Sequence, residues 1–85
     1  MASTVVMYSK NNCNYCTQAK QLLNRKNVIV TEKKIDEKPE WLEEMLTRSG
    51  GRRTVPQIFI NDKHVGGCDD LYVLEREGKL DSLLK

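Results

Sequence analysis

The 85-residue sequence contains no long apolar run, and nothing in it reads as a membrane span. Met1-Ala2-Ser3 leads toward the first apolar stretch without the basic segment and hydrophobic core of a secretory signal, so a cytoplasmic protein is expected. No stripe of one charge is present either. Fourteen Lys and Arg face twelve Asp and Glu, a net charge of +2, and the two signs are interleaved along most of the chain. That pattern argues against a nucleic-acid partner, the one local excess being Arg48, Arg52 and Arg53. Cysteine is scarce and odd in number, three residues, which makes a poor disulfide framework and fits a reducing compartment. No repeat, linker or low-complexity segment divides the chain, and 39% hydrophobic with 31% charged residues is the balance of a soluble globular chain. One domain over 1–85 is expected, with a single modest core.

What is present is organised around Cys13-Asn14-Tyr15-Cys16. Before it lie a β-type run, Thr4 to Tyr8, and a polar loop, Ser9 to Asn12. After it Cys16, Ala19, Leu22 and Leu23 fall on one stripe of a helix ending near Lys26-Asn27. Cys13 is therefore expected at a helix N-terminus, where free N–H groups and the helix dipole favour a thiolate, with Lys10 adding a nearby cation. Cys16, on the core side, is expected to act as the resolving thiol.

The remaining elements follow in order. Residues 28–35 read as a strand buried at one end, parallel to the first because a helix crosses between them. Pro39, the early glutamates, Arg48 and Gly50-Gly51 bracket a second helix with Trp41, Leu42, Met45 and Leu46 on its apolar face. Val55-Pro56-Gln57-Ile58-Phe59-Ile60, the turn Asn61-Asp62 and Lys63 to Gly66 form an antiparallel hairpin. Asp69 and Asp70 open a third helix that Gly78 closes, and Leu80, Leu83 and Leu84 add a final amphipathic turn or two. The class is α/β, in the order β-α-β-α-β-β-α.

Three groups of residues carry chemistry. The cysteine pair is read as redox rather than metal-binding, although Cys13-x2-Cys16 with His64-x3-Cys68 has the composition of a zinc site; no metal ligand is assigned. At Val55-Pro56 a strand-start proline is the plain reading; a cis bond there would turn the Val55 N–H and C=O toward the thiol, and sequence does not choose between the two. Gly66-Gly67-Cys68-Asp69-Asp70 offers free helix N–H groups to a carboxylate and an aspartate to an ammonium, the two charges of an α-amino acid head group. Arg52, Arg53 and Lys10 are candidates for a second carboxylate.

Tyr8-Ser9-Lys10, the cysteine motif, Arg53-Thr54-Val55-Pro56-Gln57-Ile58-Phe59-Ile60 and Gly66-Gly67-Cys68-Asp69-Asp70-Leu71 together resemble the glutaredoxins, in particular small bacterial dithiol members. The resemblance runs over nearly the whole chain. It implies a thioredoxin fold with a four-stranded mixed sheet, a cis Pro56, and glutathione as co-substrate. It further implies that Cys13 takes the glutathione sulfur, that Val55 pairs with its main chain, and that Cys68, Asp69 and Asp70 hold its γ-glutamyl end, with Lys10, Tyr15 and Thr54 lining the site. Disulfide-containing or glutathionylated proteins, ribonucleotide reductase among them, are the implied partners of a monomer. Asn14 departs from the family's usual proline and resembles members that hold a [2Fe–2S] cluster between two protomers, which makes a cluster-binding module the alternative. The Gly50-Gly51-Arg52-Arg53 loop leaves open which arginine meets the glycyl carboxylate.

Overall fold

The computed structural model describes residues 4–84, so the reading of Met1-Ala2-Ser3 lies outside the described residues. The elements are β1 (Val5–Ser9), α1 (Asn14–Arg25), β2 (Val30–Lys34), α2 (Pro39–Arg48), β3 (Gln57–Ile60), β4 (Lys63–Gly66), α3 (Cys68–Arg76) and a short α4 (Leu80–Leu83). The strands form one mixed sheet in the order β2-β1-β3-β4. β1 runs parallel to β2, from Val5 opposite Val30 to Ser9 opposite Lys34, and antiparallel to β3. β3 and β4 are an antiparallel hairpin with a register shift between Ile58 and Phe59. This is the thioredoxin fold.

Side-chain alternation along the central strands divides the core in two. Val5, Met7, Ile58 and Ile60 point to the face covered by α1 and α3, where they meet Ala19, Leu22, Leu23, Leu71 and Leu80. Tyr8 and Phe59 point to the opposite face and pack on Met45 of α2. The buried positions of α1 are Cys16, Ala19, Leu22 and Leu23, the stripe that helical periodicity selects. Lys26, just past α1, binds Glu75 of α3 at 2.8 Å and Asp81 of α4 at 3.0 Å, so one ammonium ties three helices together.

Several boundaries differ from expectation, among them the end of β2 at Lys34 rather than residue 35 and the start of α3 at Cys68. The β2 ladder starts at Val30 rather than residue 28, because β1 supplies no partner beyond Val5; Ile29 is 88% exposed and Val28 packs on the core from a loop. β1 is shifted by one residue, to Val5–Ser9. β3 starts at Gln57 because Pro56 has no N–H to give the ladder.

On the α2 face a polar network surrounds Tyr8. Its hydroxyl donates to the Glu44 carboxylate and accepts from Arg48 Nη1 at 3.0 Å, and Lys33 binds Glu44 at 2.6 Å. Burial, and after it the Glu44 contact, push the Tyr8 phenol up; Lys33, followed by Tyr8, holds the Glu44 carboxyl below the usual carboxylate range. Tyr8→Phe leaves packing intact and removes both hydroxyl bonds. It is expected to cost about 1–2 kcal/mol in urea denaturation, since the partners reach water. An unchanged midpoint would show that the network contributes nothing.

Candidate active site

The cysteine pair sits where β1 gives way to α1. Asn12 takes a left-handed conformation (φ 58°), which asparagine tolerates, and turns the chain. Asn11 fixes the loop: its N–H and Nδ2 each donate to Asp36 at 3.1 Å, and its Oδ1 accepts from Lys34 at 3.2 Å. The backbone donor of Asn11 holds the Asp36 carboxyl below its ordinary range. Behind the loop, Ser9 donates to Glu32 at 2.6 Å and Lys20 pairs with it at 3.0 Å. Burial works against the Glu32 charge, but these donors outweigh it and its carboxyl stays below the usual range.

Cys13 is the N-cap of α1, and its sulfur accepts the Cys16 N–H at 3.2 Å. Cys13 is partly exposed, whereas Cys16 is 3% exposed. The two are joined as a disulfide with Cα atoms 5.3 Å apart. The arrangement is asymmetric: Cys13 is partly exposed at a helix start, and Cys16 is buried one turn in. Asn14 occupies the first helical position, exposed and, among the described residues, without a side-chain hydrogen bond, so the cluster reading attached to it gains no support.

A cleft of about 470 Å³ is lined by Tyr15, from between the two cysteines, and by Arg52, Thr54, Val55, Pro56, Gly67, Cys68, Asp69 and Asp70; neither cysteine of the pair lines it. The Val55–Pro56 bond is cis. Among the described residues neither the N–H nor the C=O of Val55 takes a hydrogen bond. The N-terminus of α3 packs tightly behind: a Cβ on Gly67 would approach the Pro56 carbonyl to 3.3 Å. Gly66 has φ +117°, and a Cβ there would fall 2.2 Å from Asp70 Oδ2. That oxygen accepts the Gly67 N–H at 3.0 Å, capping α3, and lies 3.9 Å from Arg52 Nη1. Among the described residues the N–H groups of Cys68 and Asp69 have no acceptor. Tyr15, in the first turn of α1, and Cys68 to Asp70, at the start of α3, line this same cleft.

The cleft gathers eight of the ten side chains expected to bind glutathione. Lys10 lies instead in a second, polar cleft of about 510 Å³, which Cys13 and Cys16 also line and which shares no lining residue with the first. Arg53 is exposed and lines neither cleft. Cys68 is buried at the first position of α3, and burial, with Asp69 second, pushes its thiol up. Among the described residues no group of three or more His, Cys, Asp or Glu is placed to hold a metal ion, so the structure does not assemble Cys13, Cys16, His64 and Cys68 into a zinc site.

Sequence reasoning missed Gln57 and His64. Gln57, fully buried, donates through Nε2 to the Thr54 carbonyl at 2.9 Å and to its Oγ1 at 3.1 Å, and its Oε1 lies 2.7 Å from His64 Nε2. The available signal was a lone amide within an otherwise apolar strand. Burial, then the Arg52 charge, lower the His64 pKa from its ordinary value.

Comparison with known proteins bears on this geometry. Residues 5–65 match the glutaredoxin family model. Glutaredoxin 3 of Escherichia coli K12 is 53% identical over 83 residues, covering 98% of this chain and 99% of the relative. The solution structure of a glutaredoxin from Brucella melitensis superposes with a TM-score of 0.84 at 55% identity, covering 99% of this chain and 90% of that one. A buckwheat glutaredoxin–glutathione complex superposes with a TM-score of 0.86 at 33% identity, covering 96% and 76%. No helix among the described residues is long and apolar enough to cross a membrane. With its cysteine pair at the strand-to-helix junction, its thioredoxin fold and these full-length relatives, the chain belongs to the glutaredoxin family of thiol–disulfide oxidoreductases.

Proposed function

We propose that the protein reduces protein–glutathione mixed disulfides and protein disulfides at the expense of glutathione, acting as a cytoplasmic monomer. The observation that carries this reading is the pairing of a partly exposed N-cap cysteine with a cleft whose free groups match glutathione. The peptide's ammonium suits Asp69, its α-carboxylate suits the Cys68 and Asp69 N–H groups, and its cysteinyl main chain suits Val55. Its glycyl carboxylate suits Arg52, which lines the cleft as Arg53 does not. Lys10 is then left to favour the Cys13 thiolate from the polar cleft that both line. Tyr15, 61% exposed, Thr54 and Pro56 supply the walls. That a buckwheat glutaredoxin forms a complex with glutathione supports glutathione as the ligand.

In the monothiol reaction the Cys13 thiolate attacks the glutathionyl sulfur of a mixed disulfide. The protein thiolate leaves and takes a proton, and Cys13 holds the glutathione. A second glutathione thiolate then attacks that glutathionyl sulfur, releasing glutathione disulfide and restoring the Cys13 thiolate. In the dithiol reaction Cys13 attacks one sulfur of a protein disulfide and expels the other as thiolate. Cys16 then attacks Cys13 and releases the second protein thiol, leaving the Cys13–Cys16 disulfide. Two glutathiones return it to the dithiol and leave as glutathione disulfide. Burial of Cys16 favours Cys13 as the only sulfur an incoming substrate reaches.

The test is reduction of a glutathionylated peptide by the freshly reduced protein, with glutathione reductase and NADPH as readout. Turnover dependent on glutathione is expected. A protein active with a flavoprotein dithiol reductase but inactive with glutathione would sink the reading.

A further inference from the structure

Behind the cleft a short line of side chains ends on its wall. Phe59, in β3, stacks its ring on the His64 imidazole of β4, with centroids 4.8 Å apart and planes inclined by 24°. The stack holds the imidazole so that Nε2 faces Gln57 Oε1 at 2.7 Å. Because the Gln57 amide nitrogen already donates twice to Thr54, its oxygen is the end facing His64, and Nε2 must carry the proton. The amide can then adopt only one orientation. Thr54, exposed and outside any strand, gains from Gln57 the two side-chain anchors of its carbonyl and hydroxyl.

We propose that Gln57 and His64 are positioning residues that fix the Thr54–Val55 segment, and through it the affinity of the cleft for the main chain of glutathione. Neither lines the cleft. An extended peptide pairing with Val55 needs that residue's N–H and C=O at a set height and angle, and hydrogen-bond strength falls steeply with misalignment. Held by Gln57, the segment is preorganised; released, it must be ordered when the ligand arrives. The Thr54 carbonyl, which can only accept, fixes the orientation of the Gln57 amide, and His64 adds the second constraint by donating from Nε2 to the Gln57 oxygen in that orientation. The inference rests on the glutathione reading above.

The experiment compares wild type, Gln57→Met and His64→Phe in the glutathione-coupled assay. Gln57→Met keeps length and apolar bulk and loses both amide donors and the Oε1 acceptor; His64→Phe keeps a ring to stack on Phe59 and loses the ring nitrogens, the Nε2 donor among them. The apparent KM for glutathione is expected to rise about tenfold in Gln57→Met and about threefold in His64→Phe, with the rate at saturating glutathione within about twofold of wild type. The rate and pH profile of Cys13 alkylation by iodoacetamide, which does not use the cleft, should be unchanged in both. His64 is on an exposed edge strand, so its variant reports even if Gln57→Met folds poorly. Unchanged KM values in an active background overturn the inference alone. So does an alkylation profile that shifts along with KM, since the effect is then general damage. A wild type with no glutathione-dependent turnover overturns both the inference and the function it rests on.

Discussion

Cys13→Ser is expected to abolish glutathione-coupled turnover, by about 10³-fold or more, while Cys16→Ser keeps reduction of a glutathionylated peptide within a few-fold of wild type. The asymmetry follows from geometry. Only Cys13 reaches solvent at the α1 N-terminus, and a serine hydroxyl there neither ionises near neutral pH nor forms the mixed disulfide that carries the glutathionyl group. The monothiol cycle returns Cys13 to its thiolate with a second glutathione and never calls on Cys16. The dithiol route does, so Cys16→Ser should stall on a protein disulfide as a trapped Cys13 adduct visible by mass. The coupled assay with both substrates separates the two outcomes. Residual turnover in Cys13→Ser above about a tenth of wild type, or equal loss in both variants, would show that the roles are assigned wrongly.

Gly66→Ala is expected to destabilise the fold by about 2–3 kcal/mol, a large share of the roughly 5–15 kcal/mol that a domain possesses. Two costs combine. A φ of +117° is poorly tolerated by any residue with a Cβ, which accounts for about 1 kcal/mol or more. The new methyl would also lie 2.2 Å from Asp70 Oδ2, and the carboxylate must swing away to admit it. In swinging it gives up the Gly67 N–H that it accepts at 3.0 Å, and loss of an N-terminal cap costs about 1 kcal/mol. Thermal denaturation should show a midpoint lower by roughly 10 °C or more. The same motion separates Asp70 from Arg52, so glutathione affinity should fall with stability. A midpoint within about 2 °C of wild type would mean that the β4–α3 junction relaxes freely, which its packing against Pro56 argues against.

Local chemistry made some elements legible and left others dark. The bounds of α2, Pro39–Arg48, follow from a proline at the start and glycines beyond the end, signals that act within a few residues of themselves. The face of α1 follows from spacing alone. The start of β2 depends on how far β1 runs beside it, a fact held elsewhere in the chain, so the apolar Val28-Ile29 reads as strand and is not. At the site, the cysteine pair and the Gly-Gly-Cys-Asp-Asp turn carry their chemistry in adjacent residues and are plain in the sequence. Arg52 and Arg53 are told apart only by the path of the loop, which leaves Gly50 and Gly51 with φ of +73° and +93° and brings Arg52 alone to the cleft. Gln57 and His64 meet across a hairpin near its register shift, a contact that no spacing rule describes.

The first turns of α1 and α3, which share one cleft through Tyr15 and Cys68 to Asp70, give the site a filter made of backbone. Amide dipoles at the starts of α1 and α3 favour a negative charge on whatever lies between them, whether the attacking sulfur, the departing sulfur or a carboxylate of the visitor. Such a field sorts by ionisation before shape is consulted. It also escapes alanine scanning, because no side-chain replacement removes an amide dipole; an amide-to-ester exchange in the chain itself is the kind of change that reaches it. A survey of substitutions would therefore credit the site's selectivity to Asp69, Asp70 and Arg52 and leave the backbone's share uncounted.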